Sequence, residues 1–166
     1  MDDTEVHTII QQLKDDSITA LDLSFSLLGQ SSLLQILSAL ESNTSVTELY
    51  LQKCYLGPEG TSSLCNIIKK RRNLRVIDIR NNHLTYTELK KICRALENNF
   101  SVIEVLIDES LGDSKDVPFQ IYMNTTSHPE HINETNWGIF TRREFERIKD
   151  RILEIVNVNK KTHEVR

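Results

Sequence analysis

Four short segments recur along this chain at a constant interval. Ile18-Thr-Ala-Leu21-Asp-Leu23 returns as Val46-Thr-Glu-Leu49-Tyr-Leu51, as Leu74-Arg-Val-Ile77-Asp-Ile79 and as Val102-Ile-Glu-Val105-Leu-Ile107. They start at positions 18, 46, 74 and 102, so the spacing is 28 each time. One such apolar pattern is common by chance, but four in constant register demand a stack of equal units. The alternation at the end of each unit predicts a short strand. Between one strand and the next runs a connecting segment in the same register.

That segment is visible between the strands. Leu33, Ile36, Leu37 and Leu40 follow the i, i+3, i+4, i+7 spacing of a helical stripe. Thr61, Leu64, Cys65 and Ile68 repeat it, as do Leu89, Ile92, Cys93 and Leu96. Cys65 and Cys93 thus stand where Leu37 stands and read as core residues. Cys54 is in register with Ser26 and Asn82, just past the strand. Three cysteines without a CxxC pair are expected to be reduced thiols.

These residues resemble a leucine-rich repeat of the ribonuclease-inhibitor type. That family's pattern, LxxLxLxxN/CxL followed by a helix, is met by Leu74 to Leu84 with Asn82 and by Val46 to Leu56 with Cys54. Ser26 and Ser110 take the Asn/Cys place in the first and fourth units. The connectors Ala39-Leu-Glu-Ser-Asn-Thr-Ser-Val46 and Ala95-Leu-Glu-Asn-Asn-Phe-Ser-Val102 are similar to those of tropomodulin and of NOD-like receptors. The resemblance covers residues 18–108. It implies an α/β fold: a short horseshoe solenoid with parallel strands on the concave face, helices on the convex face and helical caps at both ends.

A length of 166 residues predicts one domain over 1–166. Val6, Ile9, Ile10 and Leu13 predict an N-terminal cap helix within residues 1–17. Thr141-Arg-Arg-Glu144 has the form of a capping box and opens the stripe Phe145, Ile148, Ile152, Ile155 and Val156. A C-terminal cap helix is therefore expected over 141–158, with a frayed tail over 159–166. Residues 109–140 read as irregular, with an extra strand over 118–123.

No catalytic motif is present. The five glycines form no phosphate-binding loop. His128-Pro-Glu-His131, with Glu134 as a third ligand, has neither of the usual zinc spacings and reads as a polar loop. The competing enzyme reading places chemistry at His128, His131 and Trp137. The expectation is no enzyme, no cofactor and no metal. Lys69-Lys-Arg-Arg72 reads as a solvated helix end, with a targeting signal as the alternative. There is no secretory signal or membrane span, so a cytoplasmic location is expected.

The resemblance directs attention to the strands, whose side chains alternate. Between the inward apolar positions lie the outward rows Ala20, Glu48, Val76, Glu104; Asp22, Tyr50, Asp78, Leu106; Ser24, Gln52, Arg80, Asp108; and Phe25, Lys53, Asn81, Glu109. They hold six acids and two bases, equal to the chain's whole net charge of -4. The candidate contact residues are Asp22, Phe25, Glu48, Tyr50, Gln52, Asp78, Arg80, Glu104 and Asp108, with Tyr50 as the aromatic anchor. The leading expectation is a non-catalytic, monomeric interaction module that binds a protein with a basic surface, not nucleic acid or membrane. The alternatives are a tropomodulin-like, actin-binding cytoskeletal protein and a regulator of a small GTPase. The Asn-, Lys- and Ile-rich tail is also similar to effectors of intracellular bacteria, which act in the host cytosol.

Overall fold

A computed structural model of the protein describes residues 2–108 and 134–164, with backbone alone for 134–143. In chain order the elements are α1 (Asp3–Lys14), β1 (Ala20–Asp22), α2 (Gln30–Ser42), β2 (Glu48–Tyr50), α3 (Gly57–Lys70), β3 (Val76–Asp78), α4 (Tyr86–Leu96), β4 (Glu104–Leu106) and α5 (Glu134–Glu164). Among the described residues the architecture is thus mixed α/β, with four strands and five helices.

The strands pair in parallel in the order β1-β2-β3-β4. The register joins Ala20 to Glu48, Val76 and Glu104, and Leu21 to Leu49, Ile77 and Val105. Residues 28 apart are therefore lateral neighbours, and the sequence repeat is the spatial repeat. The helices stack in the same order, α1 on α2 through to α5, and α5 also packs on β4. Leu21, Leu49, Ile77 and Val105 point into one core with Leu33, Leu37, Leu64, Ile68, Leu89 and Leu96. Each fully buried aliphatic side chain there contributes about 1.5–3 kcal/mol.

Two polar ladders tie the repeats at their turns. The first lies in the turns leading into the strands, at positions 43, 71 and 99. Asn99 Nδ2 donates to the Ile68 and Arg71 carbonyls, 31 and 28 residues back. Arg71 Nη1 donates to the Leu40 and Asn43 carbonyls at the same offsets, and Nη2 to the Val46 carbonyl. An arginine thus replaces an asparagine, and burial lowers its pKa despite the opposing field of Asp16. Asn43 closes the first rung by donating to the Leu13 carbonyl at 2.8 Å.

The second ladder lies in the turns leaving the strands, at positions 26, 54 and 82. Asn82 Nδ2 donates to the Leu51 carbonyl at 2.6 Å, and its Oδ1 accepts from the Cys54 amide at 3.0 Å. Cys54 Sγ donates to the Leu23 carbonyl, the equivalent acceptor one repeat earlier. Burial pushes the Cys54 thiol up to about 11, which suits a structural donor and not a nucleophile.

Three features differ from the sequence expectations. The C-terminal helix is longer at both ends than 141–158. It begins at Glu134, inside the stretch read as irregular, and runs to Glu164, through the tail read as frayed. Thr141 and Glu144 consequently lie within α5 and do not start it. Within that tail Asn159 is buried and donates to the Asn99 and Val102 carbonyls at 2.9 and 2.8 Å, which anchors the described end of the helix. Those acceptors are the equivalents, two repeats on, of the ones Arg71 takes at Asn43 and Val46. The expected strand over 118–123, and His128 and His131, lie outside the described residues.

Candidate partner-binding face

The strands are three residues long, so each offers the outer face two side chains, flanked by those of the following turn. At the centre of this face stands Tyr50. Its hydroxyl donates to Glu48 Oε2 at 2.8 Å. That bond, desolvation, and the fields of Glu48, Glu104 and Asp22 hold its phenol above the ordinary range. The register explains the cluster: Asp22 is the lateral partner of Tyr50, and Glu104 sits two strands from Glu48 in the same row. The structure thus gathers Asp22, Glu48, Tyr50 and Glu104. Asp22 and Glu104 are exposed, and Glu48 and Tyr50 are half-buried. Asp22 also accepts from the Ser24 amide at 2.8 Å, which fixes its carboxylate at the turn.

The remaining candidates separate from this group. Asp78 is only 2% exposed and is a correction to the expected contact set. Its carboxylate accepts from Arg80 Nε and Nη2, at 2.6 Å for the closest oxygen, and from the Arg80 amide. A buried carboxylate held by three donors belongs to the fold, and Arg80 covers it. Asp108 Oδ1 accepts from the Asn81 amide at 2.8 Å, so it ties the turn after β4 to the turn after β3. Gln52 is half-buried, and Phe25 is exposed with its amide on the Gln52 carbonyl. Glu109 lies outside the described residues.

Sequence reasoning missed the exposed Leu27, Tyr55 and His83, which follow Phe25, Lys53 and Asn81 by two residues in their turns. Exposed and buried residues alternate there: Cys54 and Leu56, and Asn82 and Leu84, point inwards between them. The 28-residue register would have found these positions had the repeat been followed past Phe25. The run Lys69 to Arg72 is also altered. Arg71 is buried in the ladder and Lys70 is paired with Glu41, so it does not form a row of four solvated cations. Among the described residues, no group of three or more His, Cys, Asp or Glu side chains is placed to hold a metal ion. None of the described helices is long and apolar enough to cross a membrane.

No family model matches the chain. Over 86 residues it is 31% identical to the protein phosphatase 1 regulatory subunit 37 homologs of Caenorhabditis briggsae and Caenorhabditis elegans. That stretch is 52% of this chain but 9% of each relative, so the chain matches less than a tenth of their length. The C-terminal domain of Caenorhabditis elegans tropomodulin aligns with a TM-score of 0.49 and 12% identity, covering 90% of this chain and 99% of that one. Actin-binding site 2 of leiomodin-1 aligns with a TM-score of 0.54 and 20% identity, covering 60% of each chain. With the parallel ladder described above, that likeness fits a short solenoid of the leucine-rich-repeat type.

Proposed function

We propose that this chain is a non-catalytic interaction module of the ribonuclease-inhibitor repeat type, binding a protein through the concave strand-side face of a short horseshoe. The supporting observation is the cluster of Asp22, Glu48 and Glu104 around Tyr50. Three carboxylates on a surface fixed by two backbone ladders attract a basic partner and steer its approach. A half-buried tyrosine at their centre supplies contact area at little entropic cost. The mechanism is presentation by a rigid scaffold, with no bond made or broken. On this reading the protein is monomeric, acts in the cytoplasm and needs no cofactor, nucleic acid or membrane.

The actin-binding alternative is favoured by one observation, the backbone likeness to actin-binding site 2 of leiomodin-1. Co-sedimentation of the full chain with filamentous actin tests it. The expected result is pelleting with filaments that is lost in an Asp22→Lys, Glu48→Lys, Glu104→Lys variant of unchanged melting temperature. Equal pelleting of both chains removes the acidic face from the interaction, and no pelleting of the parent removes actin. A protein phosphatase catalytic subunit is the second partner to assay, given the likeness to regulatory-subunit homologs of nematodes. The small-GTPase-regulator reading has no assigned arginine. The bacterial-effector reading rests on tail composition alone.

A further inference from the structure

Single exposed apolar residues are ordinary, whereas a grouped set marks a binding surface. Phe25, Leu27 and Tyr55 are 59%, 81% and 54% exposed. All three lie in the turns leaving β1 and β2, and Leu27, Tyr55 and His83 share one register position. The rings of Tyr55 and His83 are 6.5 Å apart. The backbone supplies a second observation. Phe25, Tyr55 and His83 have φ values of 59°, 53° and 53°, in the left-handed region that glycine adopts freely and bulky residues do not. The core does not require these side chains, because Cys54, Leu56, Asn82 and Leu84 of the same turns fill it. Large side chains are thus kept in water at strained positions.

We infer that this rim is a docking strip for an amphipathic helix. Its apolar stripe lies on Phe25, Leu27, Tyr55 and His83, and its lysines and arginines face the carboxylates of Asp22, Glu48 and Glu104. The inference rests on the strand-side face being a binding surface, and it names the partner's chemistry. Charge complementarity selects the occupant. Phe25 follows Asp22, the last residue of β1, by three positions, and three carboxylates surround Tyr50 against exposed Lys53 and an Arg80 already paired with Asp78. Tyr50, ringed by these carboxylates, can take a basic side chain through both its charge and its apolar stem.

The test uses the full chain and a labelled peptide of about 14 residues, with leucines at i, i+3, i+4 and i+7 and lysines elsewhere. Saturable binding is expected, weakened about tenfold by Leu27→Ser with Tyr55→Gly, and about tenfold when the peptide's lysines become glutamates. Tyr55→Gly should leave the melting temperature unchanged or raise it, because glycine relieves the left-handed strain. Leu27→Ser alone gives the same answer without touching a strained position. Equal binding of the rim variant, or of the glutamate peptide, overturns the inference. So does an equal loss in an Asp3→Lys, Asp150→Lys control, which would reveal unspecific charge attraction. If the Asp22, Glu48, Glu104 lysine variant loses the peptide while the rim variant keeps it, the face survives and the rim fails. If neither variant moves binding, both fail. Rim-dependent binding of anionic vesicles in place of the peptide would assign the strip to lipid and overturn the inference.

Discussion

The two edges of this solenoid are built from the same repeat but divide their surface differently. The turns before the strands bury their polar side chains: Asn43, Arg71 and Asn99 are all at most 4% exposed and bonded to backbone one repeat away. The turns after the strands also carry a buried rung, at Cys54 and Asn82, but interleave it with exposed Phe25, Leu27, Tyr55 and His83. Phe25, Lys53 and Asn81, 28 residues apart, all have positive φ, and so do Tyr55 and His83. The leading turns are mainly cohesive: their exposed apolar surface is Phe100, at 71%, and their left-handed residue is Asp16, at φ 50°. The leaving turns combine cohesion with strain and exposed apolar surface, the combination associated with binding sites.

This contrast is best tested where it should cost most. Arg71→Met removes the guanidinium bonds to the Leu40, Asn43 and Val46 carbonyls, leaving the Leu40 carbonyl with the Asn43 amide at 3.2 Å and the Val46 carbonyl with Asn73 Nδ2 at 3.4 Å. Chemical denaturation should show a loss of about 2–3 kcal/mol, since charge-assisted bonds are lost and the Asn43 carbonyl loses its guanidinium donor. Arg71→Asn should recover much of it, because Asn99 makes the equivalent bonds. Asn159→Leu should cost about 1–3 kcal/mol by the same mechanism at the C-terminal end. A neutral outcome there would show that α5 is held by its apolar stripe alone.

Smaller effects follow at exposed groups. Asp16 accepts from the Thr44 hydroxyl and amide, and these bonds hold its carboxyl below its ordinary value of 3.8. A depressed folded pKa adds stability at neutral pH that is lost as pH falls through the folded value. The gap in melting temperature between parent and Asp16→Ala should therefore be open at pH 7 and close below about pH 4. On the leaving edge, Phe25→Ser or Leu27→Ser should change stability by less than about 0.5 kcal/mol. A large loss would make that edge as structural as the other. The smallest signal is spectroscopic. Glu48→Gln should lower the ionisation midpoint of Tyr50, which its neighbours raise. The raised phenol pKa is a stability contribution present below the unfolded value and lost as pH rises through the folded one, so the difference appears above about pH 10.

The parallel sheet, its register and the core rows were legible because side-chain alternation and a constant repeat length are both sequence quantities. Tyr50 with Asp22, Glu48 and Glu104 was legible for the same reason. Asp78 was not, because the alternation places it outwards and only the fold shows Arg80 closing over it at 2.6 Å. Capping shows the same limit. Thr85-Tyr-Thr-Glu88 makes a capping box, with the Thr85 amide donating to Glu88 Oε2 at 2.7 Å. Thr141-Arg-Arg-Glu144 has the same pattern and lies inside a helix. A local pattern states what a terminus could use, and packing on either side decides whether the chain ends there.

By itself, then, the sequence determined the register in which the four described strands repeat, which of their residues face the core and which carboxylates share a face. Tertiary structure alone decided that Arg71 fills an asparagine's place, that Asn159 completes the ladder it belongs to, and that Tyr55 and Leu27 are left in water. The physical reason is range. Alternation and helical stripes act between near neighbours and are written along the chain. Satisfying a buried carbonyl depends on which donor reaches it across one repeat, or across the 57 residues between Val102 and Asn159.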